Sequence, residues 1–150
     1  MLQVPYSKQA SNYSCGAAAL QMVFRFYGEV YSEKELAQSL GTRKDFGTSH
    51  QAMINLARSK GFRVYETNQA SLMEIKSLIN RSFPVIVNFI EPSSDEGHYA
   101  VVVAIRRGRI VLNDPWNGKG FTMKAEDFKK RWINGLKTSR RWLMAIRPKS

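Results

Sequence analysis

The chain has 150 residues, 43% of them hydrophobic and 23% charged, the size and composition of one soluble domain over 1–150 with a core of its own. Its single cysteine excludes an internal disulfide and a cysteine-rich zinc site, and no apolar run approaches the ~20 residues that span a bilayer. Lys and Arg outnumber Asp and Glu 23 to 12, a formal net charge of +11, but they are spread along the chain with no helix-turn-helix or aromatic–basic RNA motif, so the charge reads as a soluble basic surface before it reads as a site for acidic peptide, anionic membrane or nucleic acid.

The start, Met1-Leu-Gln-Val-Pro-Tyr6, has no basic segment followed by an apolar core, and a lone free thiol suits a reducing compartment; a cytoplasmic location is expected. Leu20, Val23, Phe24 and Tyr27 fall on one face of a helix beginning at Cys15, and Gly28 stands where helices stop. Ser32-Glu-Lys-Glu35 is a capping box that opens a short second helix ending near Gly41. Thr48 or Ser49 caps a third helix running to Lys60. Phe62–Glu66 alternates as a strand, and Ser71-Leu-Met-Glu74 opens a fourth helix to about Ile79.

From Pro84 the chain turns to β-branched residues. Strands are predicted at Pro84–Ile90, His98–Ile105 and Arg109–Asn113, with Arg106-Arg107-Gly108 as the hairpin turn between the last two. Trp116–Gly120 reads as a loop, Lys124–Trp132 as a last helix and Trp142–Arg147 as a final strand. Helices first and a mostly antiparallel sheet after them give α+β.

Four residues carry chemistry. Cys15 sits in the first turn of the first helix, where free amide N–H groups favour negative charge, and small residues follow it, Gly16-Ala-Ala-Ala19. Taken alone it is more often a buried core cysteine. Gln9 lies six positions earlier on an irregular segment; with the Cys15 N–H its amide could form an oxyanion hole. His98 stands at a strand edge after Glu91-Pro-Ser-Ser-Asp-Glu-Gly97, read as a mobile loop, and suits a general base. Asp114 ends the neighbouring strand and could hold the imidazole through Nδ1–H, with Asn113 and Asn117 nearby but uncharged. The other histidine, His50, has no obvious partner and reads as surface. A thiol, an imidazole, a carboxylate and an amide are the parts of an acyl-transfer site using sulfur.

Together, Gln9…Cys15-Gly-Ala-Ala-Ala-Leu20, His98-Tyr-Ala-Val-Val-Val103 and Asn113-Asp114-Pro115 resemble the C39 peptidases, papain-like cysteine proteases of bacteria, over nearly the whole chain. The resemblance implies Cys15 as nucleophile, His98 as base then acid, Asp114 as orienter and Gln9 as oxyanion donor, with no cofactor or metal. It implies a papain-like fold, an N-terminal helical lobe packed against a C-terminal, mostly antiparallel sheet. Well-known members remove leader peptides after Gly-Gly as the N-terminal domain of a peptide-exporting ABC transporter. That implies a peptide or protein substrate, and an association with a transport system, but no nucleic acid. This sequence departs from the pattern in having no membrane segment, no Gly-Lys-Ser/Thr phosphate motif and Ser14 where an aspartate is usual. Two alternatives stay open: another thiol acyl-transfer enzyme such as a deamidase or transglutaminase-like enzyme, and a non-catalytic peptide-binding module.

Overall fold

Ser32, Ser49 and Ser71 each open a helix in the way their sequence predicts. Their hydroxyls accept the N–H groups of Glu35, Ala52 and Glu74, each at 3.1 Å. The computed structural model describes residues 1–42 and 47–149. Its elements run α1 (Cys15–Phe26), α2 (Glu33–Leu40), α3 (His50–Ser59), β1 (Phe62–Thr67), α4 (Leu72–Asn80), β2 (Val85–Ile90), β3 (Gly97–Arg106), β4 (Arg109–Asp114), β5 (Gly118–Lys124), α5 (Ala125–Arg131) and β6 (Leu143–Pro148).

The strands form one sheet in the order β1-β6-β2-β3-β4-β5, and every neighbouring pair is antiparallel. The predicted β3–β4 hairpin forms. Arg107 and Gly108 both take positive φ, 54° and 74°, and Arg106 pairs with Arg109 across them. Such a two-residue turn matches the right-handed twist of its strands.

The segment read as a loop at 116–120 instead enters a strand, β5, from Gly118. Two glycines hid it: its pairing comes from β4, Leu112 opposite Phe121 and Ile110 opposite Met123, and not from any local preference. The first helix also differs from its sequence pattern. Gly16 through Phe24 are all buried, because α1 packs against α2 and β3 together rather than showing one face to water. Full burial of side chains such as Leu20, Met22 and Phe24 stabilises by about 1.5–3 kcal/mol each.

The sheet is covered on both faces. Ile86, Tyr99, Val101 and Met144 meet α1–α3 on one side. Val87, Phe89, Ala100, Val102 and Leu143 meet α4 and α5 on the other. Two buried faces explain why Ala100–Ala104 is an unbroken apolar run rather than an alternating one.

Candidate active site

Cys15 is the first residue of α1 and is partly exposed. The residue before it, Ser14, occupies the cap position but does not cap: its hydroxyl bonds the carbonyl and N–H of Ser11, each at 3.1 Å. No acidic side chain stands in the first turn of α1. The first N–H groups of the helix, which have no partner within it, are therefore left to whatever anion forms beside the sulfur. Gly16 is small for a reason. A Cβ there would lie 3.1 Å from Thr48 Cβ and 3.4 Å from the Tyr99 ring.

His98 is the second residue of β3 and is buried, its ring edge-on to Phe89. Its Nε2 lies 2.6 Å from Oδ1 of Asp114. The β3–β4 hairpin places both residues at one end of the sheet, sixteen positions apart in sequence. The sequence reading had Nδ1–H facing the carboxylate; the ring is turned the other way, with Nε2 on Asp114. Burial alone would push the His98 pKa down. Hydrogen bonding to Asp114 and to the Cys15 sulfur outweighs it and carries the imidazole above its ordinary range.

Asp114 is completely buried. Its Oδ1 also accepts the backbone N–H groups of Trp116 (2.9 Å) and Asn117 (3.0 Å), a local turn that Asp is suited to make. Burial raises its pKa, but the bonds from His98, Asn117 and Trp116 prevail, and the carboxyl is held below its usual range.

Behind this pair lies a support that sequence reasoning missed. The Asn117 amide donates to Asp114 Oδ2 and to Glu91 Oε1, 3.2 Å each. Glu91 is itself buried. Its carboxylate accepts the N–H and hydroxyl of Ser93 and of Ser94 at 2.6–2.8 Å. Burial raises the Glu91 pKa, the bonds from the two serines together lower it by more, and the balance falls to about 2. The loop read as mobile is thus pinned from within, with Asp95 N–H on Glu91 O and Glu91 N–H on Glu96 O as well. The signal was present in Glu91-Pro-Ser-Ser: a carboxylate followed by two hydroxyls can close on itself. Asn113 plays a different part, tying the Val4 carbonyl to the sheet at 2.9 Å.

Gln9 is buried, its N–H fixed to the Pro115 carbonyl at 3.0 Å. Its Nε2 donates one bond to the Ser11 carbonyl at 2.7 Å, and its Oε1 has no partner among the described residues. Gln9 and His98 line the same cleft of about 250 Å³, together with Asn12, Glu91, Ser94, Glu96, Gly97 and Trp116. Gly97 sits against Gly135, where a Cβ would come within 2.7 Å of backbone atoms. Gly97 is the first residue of β3, and His98 follows it.

His50 is not on the surface. It is half-buried, stacked on Trp142 at 3.9 Å between ring centroids, with Nε2 2.8 Å from the Asn88 amide. Among the described residues no group of three or more His, Cys, Asp or Glu side chains is placed to hold a metal ion, and no helix is long and apolar enough to cross a membrane.

Comparison with known proteins adds to this geometry. The family model for the peptidase C39 family matches residues 3–137. An uncharacterised protein of Methanothermobacter marburgensis is 38% identical over 112 residues, which is 75% of this chain and 72% of that protein. The crystal structure of the peptidase domain of Streptococcus ComA, a bifunctional ABC transporter of a quorum-sensing pathway, superposes with a TM-score of 0.81, covering 98% of this chain and all of that one at 24% identity. A double-glycine-motif protease from an AMS/PCAT transporter, solved with its leader peptide, superposes with a TM-score of 0.75 at 19% identity, covering 98% of this chain and 93% of that one.

Proposed function

This chain belongs to the peptidase C39 family, and on that footing we propose that it is a cysteine endopeptidase that cuts a peptide bond through Cys15, His98 and Asp114. One observation carries the reading. A single buried imidazole has its Nε2 2.6 Å from a carboxylate, in a chain whose one thiol stands partly exposed at a helix N-terminus.

The charged imidazole and the thiolate form the resting pair. The Cys15 sulfur attacks the scissile carbonyl carbon, and the carbonyl oxygen becomes an oxyanion. The Cys15 N–H at the uncapped end of α1 and the second N–H of Gln9 Nε2 stabilise it; one such donor is worth roughly 3–4 kcal/mol of barrier. His98 Nδ1–H protonates the leaving amine as the C–N bond breaks, leaving a thioester. A water then gives its proton to Nδ1 and attacks the thioester carbon. The acid product leaves and the thiolate–imidazolium pair returns. Asp114, fixed by two backbone N–H groups and by Asn117, keeps Nε2–H aimed away from the sulfur throughout.

The cleft of about 250 Å³ lined by Gln9 and His98 is smaller than the usual pocket for a drug-sized ligand, and small residues such as a Gly-Gly pair are the side chains that would pass beside it. The protease solved with its leader peptide supports a leader-like peptide as the substrate class, and ComA supports work beside a transport system.

The test is cleavage of a synthetic leader-like peptide containing Gly-Gly, followed by mass spectrometry. Wild-type protein gives two hydrolytic fragments, and Cys15→Ala, folded by circular dichroism, gives none. Fragments from Cys15→Ala would defeat the reading. Ammonia release or a new isopeptide bond would move it to another acyl transfer.

A further inference from the structure

A second cavity lies away from Cys15. A groove of about 950 Å³ lies around β1, the edge strand of the sheet, between α4 and the end of β6. The register Thr67–Leu143, Leu143–Val87, Val87–Ala100 sets the end of β1 level with the middle of β3. Arg63 then lies three strands from His98 and runs away from it, roughly 20 Å along the strands and about 14 Å across them. The groove is a separate place from the candidate active site.

Its charge is one-sided. Of fourteen lining residues five are cationic, Arg58, Arg63, Arg81, Arg147 and Lys149, and one is acidic, Glu74. All five cations are exposed. The ion pairs among the described residues are His98–Asp114 and Arg131–Asp95, so none of the five has an acidic partner there. Glu74 already accepts the Tyr65 hydroxyl. The sharpest feature is Arg63 directly opposite Arg147 on the neighbouring strand. Like charges in cross-strand register destabilise a sheet. An anion seated between them removes that cost.

Phosphate surfaces fit the groove less well than a peptide. Its floor is apolar, with Leu78, Ala145 and Ile146 buried and Phe83 half-buried, and it is concave, where a bilayer surface is not. The outer edge of β1 carries backbone N–H and C=O groups with no hydrogen-bond partner among the described residues. An extended peptide answers all three: main chain for the edge, apolar side chains for the floor, carboxylates for the arginines.

We propose that the free edge of β1, with the Arg63–Arg147 pair near its start, docks an extended acidic segment of a partner protein by strand addition, apart from the peptide that is cut. A fluorescein-labelled decapeptide of alternating Glu and Val, titrated by anisotropy, tests it. The expected result is saturable binding that weakens at least about tenfold when Gln replaces Glu, when alternate amides are N-methylated, or in Arg63→Gln. Arg63→Gln also raises the melting temperature, because it removes the like-charge pair, so lost binding is not lost folding. Binding indifferent to Arg63→Gln or to N-methylation overturns the proposal. So does tighter, Arg63-dependent capture of a DNA duplex or of phosphatidylserine vesicles. A raised KM for the cleaved leader-like peptide in Arg63→Gln overturns it as well, since the groove would then serve the substrate.

Discussion

The surroundings of His98 and His50 make opposite chemistry from the same ring. Each is drawn from solvent at an element's start, one in β3 and one in α3. Around His98 a carboxylate and a sulfur override burial and hold the ring protonated. Around His50 the partners are an indole face and a neutral amide. Burial goes uncompensated there, beyond a weak opposing pull from Glu66, and the pKa falls to about 4. Desolvation acts in one direction on both rings; the difference lies in whether the neighbours carry negative charge. A histidine withdrawn from solvent can therefore be held neutral or held charged, according to the charge of its neighbours.

Removing the carboxylate is the harshest way to erase that contrast. Asp114→Ala leaves the His98 ring buried without its partner. We expect a loss of about 3–5 kcal/mol in chemical denaturation and a fall of at least ~100-fold in cleavage rate. A rate within a few-fold of wild type would mean that Asp114 does not prepare the imidazole.

Shifting the backbone beneath His98 should come next. Gly97→Ala forces a Cβ to within 2.7 Å of the Gly135 backbone, and the needed shift costs about 1–3 kcal/mol. Because His98 is the next residue, cleavage should fall further than the lost stability alone predicts; the same change at exposed Gly108, which has positive φ, should cost stability and spare cleavage.

Titration separates the two rings directly. Histidine side-chain NMR should find His98 protonated through neutral pH and His50 neutral until about pH 4; two curves near the ordinary value of 6.5 would remove the distinction. The signs for stability follow. The His98–Asp114 pair, counted once, contributes in full between the unfolded pKa values of about 3.8 and 6.5. It weakens as pH rises from 6.5 through the raised His98 value, and as pH falls from 3.8 through the lowered Asp114 value. His50 contributes above 6.5 and loses that as pH falls towards 4. Glu91 contributes above 4.5 and loses that on the way to about 2. Acid should therefore destabilise in stages, with the His50 stage first.

The mildest change keeps the His50 stack and discards its polarity. His50→Phe retains a ring against Trp142 and leaves the Asn88 amide without the acceptor it had at 2.8 Å. We expect about 1 kcal/mol lower stability, loss of the His50 acid stage, and cleavage unchanged.

How much of this was legible beforehand depends on how far each signal reaches. Serine caps at 32, 49 and 71 act over three residues, and the Arg107-Gly108 turn acts over two, so local sequence announces them. The places of Cys15, His98 and Asp114 at element ends were likewise readable from residue type and boundary. Strand β5 was not, because its pairing energy resides in β4. Glu91 was taken for part of a mobile loop because its serine contacts had not been assembled around it.

The sequence by itself determined which side chains are candidates for chemistry, where helices and hairpins begin, and which family the chain resembles; these rest on chemistry and contacts within a few residues. Tertiary structure alone decided that Nε2 faces Asp114, that His50 lies under Trp142, that Asn117 joins two carboxylates, and that Arg63 stands opposite Arg147. Each of those depends on groups far apart in the chain or on the rotation of a ring, and both are fixed only when packing and hydrogen bonding on every side are satisfied at once.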